Sequence, residues 1–302
     1  MAYWLIVIII AYLFFALAAL GDKLVLAGPA NSKAYVFYVG LLSILSVFLI
    51  PFTGIKIPTA GMFFLIALDA IIFYIALYFG FVAVEKFEVS RVAVTIGATQ
   101  PIFIFFISWI FWGYQGMNFW GFIAFLFLFL GSIIISFDKR LEFKNRYLSL
   151  TLFASLMYSF DYVMSKYIFE YFSFWHGIIF KSIFLFLISV SLILIKKNRQ
   201  EILKKNKNLE EKKSFGKLFL ATQACGAGAN VLQSFAIFLT PVGFLPLLNS
   251  LRGLQYIFLF LFTLFITCFF PKIIKEKISK KAIIRKTASI FLIVAGLIIL
   301  LL

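Results

Sequence analysis

The chain has 302 residues, of which 64% are apolar and 13% are charged, and its mean hydropathy is +1.07. Soluble domains contain about 45–50% apolar and about 25% charged residues, so this composition excludes a water-exposed surface, and the surrounding solvent must be lipid. The formal net charge of +16 lies mostly in connectors between apolar runs, where it meets lipid headgroups or sets topology. We therefore expect the bilayer, and not a nucleic acid, as the partner of these charges.

Ten apolar segments are each long enough to cross a bilayer as a helix, which takes about 20 residues. They lack the alternation of barrel strands, and only helices and closed barrels satisfy the backbone in lipid. We therefore predict an all-α integral membrane protein with ten transmembrane helices. In chain order, the predicted helices cover residues 2–21, 33–50, 59–82, 90–112, 117–137, 148–168, 174–195, 217–239, 242–270 and 284–302.

The order of the segments repeats along the chain. Phe125–Ser136 (FLFLFLGSIIIS) matches Ile290–Leu301 (IFLIVAGLIILL) with one glycine of each in register. Val89–Phe103 aligns with Val242–Tyr256 without a gap. Internal similarity of this kind is typical of transporter folds.

The two halves are predicted to be five-helix repeats, residues 1–138 and 148–302, within a single membrane domain. Because five is an odd number, the second repeat enters the membrane in the opposite sense to the first. The resulting inverted repeat is a common plan among secondary transporters.

A family resemblance lies in two stretches. Residues 76–113 read ALYFGFVAVEKFEVSRVAVTIGATQPIFIFFISWIFWG, with Pro101 in mid-helix, and the helix that contains Gly131 follows. Residues 235–263 echo them with FAIFLTPVGFLPLLNSLRGLQYIFLFLFT. In this order the chain resembles the drug/metabolite transporter superfamily, EamA type, over nearly its whole length. The resemblance implies two five-helix halves and export or uptake of small metabolites, amino acids or amphipathic compounds.

The charge of the connectors predicts the orientation. The connectors on one side of the predicted bundle hold 24 basic residues, whereas those on the other side hold Lys56 and little else. Lys and Arg in short loops favour the cytoplasm. The charge therefore predicts a multi-pass protein of the cell membrane with both termini outside, whereas the resemblance implies cytoplasmic termini.

Four ionisable side chains of the predicted helices lie at bilayer depth, away from the helix ends: Asp69, Asp161, Lys181 and Arg252. An ionised group at the bilayer centre costs roughly 2.5–3.5 kcal/mol on insertion scales, so such residues usually face a cavity or a partner. Asp69 is either a protonatable site for coupling or for a cationic substrate, or it forms a structural ion pair with Lys181 or Arg252. Asp161 and Lys181 are the further charge partners.

Polar residues also lie on matching helices of the two halves. Asn249, Arg252 and Tyr256 share one helical face, and a guanidinium presents paired donors that suit a carboxylate or phosphate. A polar group comes just before Pro101, and Gly or Pro interruptions in matching helices indicate transporter sites. Residues 217–239 carry polar and small residues on one stripe, which either lines a cavity or packs helices closely. The predicted substrate-binding residues are Asp69, Thr95, Thr99, Gln100, Gln223, Asn230, Asn249, Arg252 and Tyr256.

On these grounds we predict secondary transport of a small metabolite or amphipathic compound by alternating access, without a cofactor. The two halves would rock around a cavity lined by the third, fourth, eighth and ninth predicted helices. Energy would come from a proton gradient, a substrate gradient or exchange. The alternative is an integral membrane enzyme or lipid-handling protein, but the basic connectors hold few acids and no histidine. We expect neither catalytic residues nor a metal site, because Cys225, Cys268 and His176 lack ligand spacing.

The orientation is tested with reporters fused after Leu302. If both termini lie outside, fused green fluorescent protein stays dark and fused alkaline phosphatase is active. The same reporters inserted into the basic connector at 196–217 serve as a matched control and give the opposite pattern. Fluorescence from the C-terminal fusion would reverse the predicted orientation.

Overall fold

A computed structural model describes residues 3–25, 32–86, 89–113, 119–136, 145–202, 213–269 and 280–301. Across these residues the secondary structure is α-helix with short 3₁₀ segments, and no strand occurs there. The helices in chain order are α1 (Tyr3–Val25), α2 (Ser32–Leu42), α3 (Ile50–Thr53), α4 (Ala60–Lys86), α5 (Val89–Trp112), α6 (Phe119–Ser136), α7 (Asn145–Tyr171), α8 (Phe174–Leu194), α9 (Lys196–Ile202), α10 (Lys213–Leu239), α11 (Leu245–Ser250), α12 (Gly253–Phe269) and α13 (Lys280–Leu301).

Several helices have the length and composition of membrane spans. Helices α6 and α13 carry shorter apolar stretches, and α7 and α10 contain more polar residues. The predicted class, an all-helical protein of membrane type, is confirmed in this form, while ten crossings stay a prediction. Among the described residues, six stretches are apolar and long enough to cross a bilayer: Tyr3–Gly21, Ser32–Thr53, Ala60–Lys86, Thr95–Trp112, Phe174–Leu194 and Val242–Ile266.

The second predicted helix is not uniform. After α2 the chain tightens into a 3₁₀ segment, Ser43–Leu49, and then continues as α3. Pro51 at the start of α3 has no N–H group to donate to the preceding turn, which favours a change of helix type just before it. Gly54, at a φ of 72°, ends α3 in a conformation that suits glycine.

The ninth predicted helix is broken. A 3₁₀ segment, Val242–Phe244, leads into the six-residue α11, and α12 begins only at Gly253. At the break, the Arg252 N–H donates to the carbonyl of Asn249 at 3.0 Å, a bond to the third preceding residue. By contrast, α5 continues through Pro101 without interruption. The discontinuity therefore lies at Arg252 and not at the mid-helix proline.

The chain forms two compact units, and each combines segments from both predicted halves. The first unit contains α1, α6 and α10–α13, and the second contains α2–α4, most of α5, and α7–α9. In the first unit, α1 packs on α10 and α12, while α6 packs on α13. In the second unit, α4 packs on α7 and α8, and α2 packs on α8.

Glycines allow the closest approach between α6 and α13. A Cβ atom at Gly131 would lie 2.6 Å from Cγ1 of Ile293, and one at Gly296 would lie 2.8 Å from Cγ of Leu128. Each helix thus presents a glycine to an aliphatic side chain of the other. Small residues at such contacts let membrane helices approach until their backbones nearly touch.

Gly131→Ala or Gly296→Ala would force this contact apart. We expect each substitution to lower the free energy of unfolding by about 1–3 kcal/mol through overpacking, measured by denaturant unfolding in detergent micelles. Gly228→Ala is the matched control, because a Cβ atom there meets nothing within 4 Å. Equal effects at Gly131 and Gly228 would contradict the proposed role of the glycine contact.

Candidate functional site

Three helices of the second unit bring ionisable side chains together. Asp69 comes from α4, Asp161 and Ser165 from α7, and Lys181 from α8. Asp161 and Ser165 are four residues apart, a spacing that puts both on one face of α7. We refer to these four residues as the charged cluster.

The Lys181 ammonium is at the centre of the charged cluster. Its Nζ lies 2.7 Å from Oδ2 of Asp69 and 3.0 Å from Oγ of Ser165, and it also donates to Oδ1 of Asp161. The Ser165 hydroxyl lies 3.2 Å from Oδ2 of Asp69, to which it donates. An ammonium has three hydrogens, so these three acceptors use its whole donor capacity.

Burial is uneven within the charged cluster. Asp69 has no exposed surface, whereas the side chains of Lys181 and Asp161 are 17% and 15% exposed. Oδ1 of Asp69 is buried and has no hydrogen-bond partner among the described residues.

Two carboxylates face one ammonium, so the fully ionised cluster has a formal charge of −1. An uncompensated charge in a buried site costs several kcal/mol.

The surroundings of the charged cluster are apolar and aromatic. The ring of Phe73 lies 5.1 Å from the Lys181 Nζ, and Tyr158 contacts that ring edge-on at 6.3 Å. On the adjoining part of α4, Ala70 and Tyr74 pack against Val36 of α2 and Leu185 of α8, and all four of these side chains are buried. Low polarity around a charge strengthens both its attraction to partners and the cost of leaving it unpaired.

The polar residues predicted on α5 form a seam with a different face of α7. Oγ1 of Thr99 lies 2.7 Å from the Ser155 hydroxyl and 2.8 Å from the carbonyl of Thr95. The Ser159 hydroxyl lies 3.3 Å from the carbonyl of Gln100. These serines lie about a third of a turn from the face of α7 that carries the charged cluster, by helical geometry. Thr99 and the Gln100 carbonyl thus join α5 to α7, with the Gln100 side chain buried, while the Thr95 carbonyl accepts from Thr99 on its own helix.

In the first unit, polar groups surround Tyr12 of α1. Tyr12 is fully buried, its hydroxyl donates to the carbonyl of Leu248 at 3.3 Å, and the side chain of Gln233 lies nearby. Arg252 and Tyr256 lie close enough to interact with Tyr12 electrostatically. Tyr12 was not among the predicted site residues, because a tyrosine inside a long apolar segment gives no local signal.

Asn249, in α11, is the most unusual polar side chain of the first unit. It is fully buried, yet neither Oδ1 nor Nδ2 has a hydrogen-bond partner among the described residues. The two predicted residues on α10, Gln223 and Asn230, are less buried than Asn249. Gln223 is half-buried, and Asn230 is exposed and donates to the carbonyl of Gly226 on its own helix at 2.9 Å.

The structure thus groups the predicted residues by unit. Asp69, Asp161 and Lys181 form one cluster in the second unit, with Ser165 as an addition. The predicted Arg252 and Tyr256 lie near Tyr12 in the first unit. The sequence signal that could have identified Ser165 is its four-residue spacing from Asp161. The corresponding signal for Gln233 is its position beside the polar stripe of α10.

Comparisons with known proteins give a fold but no family. No family model matches this sequence, and no curated protein matches it either. A solved structure described only as "Crystal structure of protein" is similar, with a TM-score of 0.65 and 16% identity. The similarity covers 97% of this chain and 94% of that one, and at this identity it shows the fold alone.

Lys181→Met would leave the buried Asp69 and the half-buried Asp161 carboxylates without their counter-charge. We expect a loss of about 3–5 kcal/mol in the free energy of unfolding, measured by denaturant unfolding in detergent micelles. The triple variant Lys181→Met, Asp69→Asn and Asp161→Asn has no charge in the cluster. It should regain most of the lost free energy of unfolding.

The control for this experiment is Lys86→Met, at the exposed end of α4. A surface substitution of this kind changes stability by no more than about 0.5 kcal/mol. If Lys181→Met were as stable as Lys86→Met, the ion pairs of the cluster would not contribute to the fold.

Proposed function

We propose that this protein is a secondary transporter that moves a small metabolite or amphipathic compound across the cell membrane by alternating access. The observation that carries the proposal is the charged cluster, held by helices of which two, α4 and α8, have the length and composition of membrane spans. Ionisable residues inside membrane helices are costly, face the bundle interior or a water-filled cavity, and mark substrate or ion pathways. Apolar side chains would pack the same position at no electrostatic cost.

The broken ninth helix supports the same proposal. Discontinuous helices in transporters leave backbone groups free to line a binding site near the bilayer midplane. Asn249 lies in α11 just before the break and Arg252 lies at it, and the Asn249 amide is buried without a partner among the described residues. A guanidinium binds a carboxylate or phosphate through paired donors, so an anionic group on the substrate fits the Arg252 side.

The packing within the units agrees with the proposed inverted repeats, residues 1–138 and 148–302. If the first predicted helix corresponds to the sixth, and the third to the eighth, the pair α1–α10 corresponds to the pair α7–α4, and both pairs pack closely. Likewise α1–α12 corresponds to α7–α5, which the Thr99–Ser155 hydrogen bond joins. The fifth and tenth helices, α6 and α13, pair with each other through reciprocal glycines.

The proposal extends to topology and family. Ten crossings with both termini outside follow from the segment lengths and the basic connectors. Membership of the EamA-type drug/metabolite transporters follows from the sequence resemblance at 76–113 and 235–263.

A ligand screen identifies the substrate class before transport is measured. Purified protein in detergent is heated with a panel of small carboxylates, phosphates and primary amines, and the shift of the unfolding midpoint is recorded. Stabilisation by carboxylates or phosphates that is lost in Arg252→Ala assigns the ligand to the first unit. Stabilisation by amines that is lost in Asp69→Asn assigns it to the charged cluster.

Flux of the best ligand is then measured in reconstituted vesicles. We expect Asp69→Asn and Arg252→Ala to abolish flux while both variants still insert and unfold cooperatively, because each removes one charge from a polar site. Lys86→Met, at the exposed end of α4, is the control and should keep full flux. Unchanged flux in both site variants would remove the site assignment. Product formation in detergent, without a sealed compartment, would favour the alternative of a membrane enzyme.

A further inference from the structure

We propose that the charged cluster is the site where the transporter binds and releases its coupling proton, and that the Asp69 carboxyl carries it. This inference rests on the proposed transport function and adds the identity of the coupling ion. Three observations carry it: the charge balance of the cluster, the unpartnered oxygen of Asp69, and the difference in burial between its two carboxyl groups.

The charge balance calls for one more positive charge. One ammonium neutralises one of the two carboxylates, and the second negative charge is left within an apolar shell that includes Phe73. Adding a proton to a carboxylate oxygen forms one O–H bond and makes the cluster neutral as a whole. Releasing that proton restores the charge of −1, so each proton event changes the cluster by one charge.

The hydrogen bonds indicate where the proton goes. Lys181 has used its three hydrogens, and Ser165 has used its single hydrogen on Oδ2 of Asp69. Oδ1 of Asp69 is the carboxyl oxygen of the cluster that is buried with no partner among the described residues. A proton on Oδ1 leaves the bonds to Oδ2 intact and replaces a buried charge by a neutral hydroxyl, which costs much less to bury.

The choice between the two carboxyl groups follows from their surroundings. Asp69 has no exposed surface, whereas the Asp161 side chain is 15% exposed and keeps its bond to Lys181. The charged groups that face Asp69 are Lys181 from α8 and Asp161 from α7. On the neighbouring helix α2, the apolar Val36 packs against Ala70 and Tyr74 of α4. With Asp69 protonated, Lys181 and Asp161 form a neutral pair.

Lys181 makes the exchange reversible. Its ammonium bonds both carboxyl groups at once, so it keeps a partner whether Asp69 is ionised or protonated. Loss of the proton strengthens the attraction between Asp69 and Lys181, and gain of the proton weakens it. The contact between α4 and α8 is therefore sensitive to the proton, which ties a charge change to the packing of two membrane helices.

The test is infrared spectroscopy of the purified full-length protein in lipid, without any substrate. A protonated carboxylic acid has a carbonyl-stretch band that a carboxylate lacks. We expect the wild-type protein to show such a band, which gives way to a carboxylate signal as the pH rises. The band should be lost in Asp69→Asn and retained in Glu85→Gln, which removes an exposed carboxyl group at the end of α4. In Asp161→Asn, Lys181 alone balances Asp69, so the band should appear only at lower pH.

A second variant keeps the carboxyl group in place. Ser165→Ala removes the hydrogen bond to Oδ2 of Asp69, so the acid band should shift in frequency without disappearing. This result does not depend on whether Asp69→Asn folds. An acid band that neither Asp69→Asn nor Ser165→Ala alters would overturn the proposal. So would sodium-dependent stabilisation that is lost in Asp69→Asn, since the cluster would then bind a metal cation.

This measurement separates the coupling site from transport itself. The infrared signal needs neither substrate nor a sealed vesicle, so the acid band on Asp69 can be established even if no flux is found. Where flux is found, a proton gradient should accelerate it in the wild type and in Lys86→Met. Flux that responds to the gradient equally in Asp69→Asn would overturn the coupling role and leave the transport function standing.

Discussion

The structure of the second unit depends on one constraint: a charge inside an apolar helix bundle needs a partner. Lys181 meets this constraint by bonding Asp69, Asp161 and Ser165, which belong to two other helices. The cluster therefore fixes the rotation of α4, α7 and α8 about their axes, because turning any one of them would leave a charge without a partner. Apolar contacts such as those of Ala70 and Leu185 tolerate more adjustment, since hydrophobic burial has no direction.

Helix α7 organises the second unit because it has two polar faces. One carries Asp161 and Ser165 toward α4 and α8, and the other carries Ser155 and Ser159 toward α5. It is accordingly more polar than its neighbours α4, α5 and α8, and it is not among the six described stretches that are apolar and long enough to cross a bilayer. In lipid, hydroxyl groups that bond across helices contribute about 0.6 kcal/mol each on average, so the seam adds specificity more than strength.

The first unit has a different polar centre, built around the break between α11 and α12. Tyr12 stabilises the end of α11 by donating to the carbonyl of Leu248, and the guanidinium of Arg252 lies near the same tyrosine. Asn249 has a buried amide without a partner among the described residues, and each unmet bond of this kind costs about 1–3 kcal/mol. Such unsatisfied groups in a folded protein call for an explanation, and a ligand or a second conformational state supplies one.

The sequence by itself determined the helical membrane class and identified Asp69, Asp161, Lys181 and Arg252 as the charges that need partners. Hydropathy is a sum over neighbouring residues, so both results require only local information. The sequence allows either Lys181 or Arg252 as the partner of Asp69, and only the tertiary structure decides between them, because the choice depends on which helix faces meet. The same holds for Tyr12, whose role depends on the distant Leu248. The sequence pattern also does not predict the break at Arg252. Pro101, the mid-helix proline, lies in the continuous helix α5, whereas no proline lies at the break between α11 and α12.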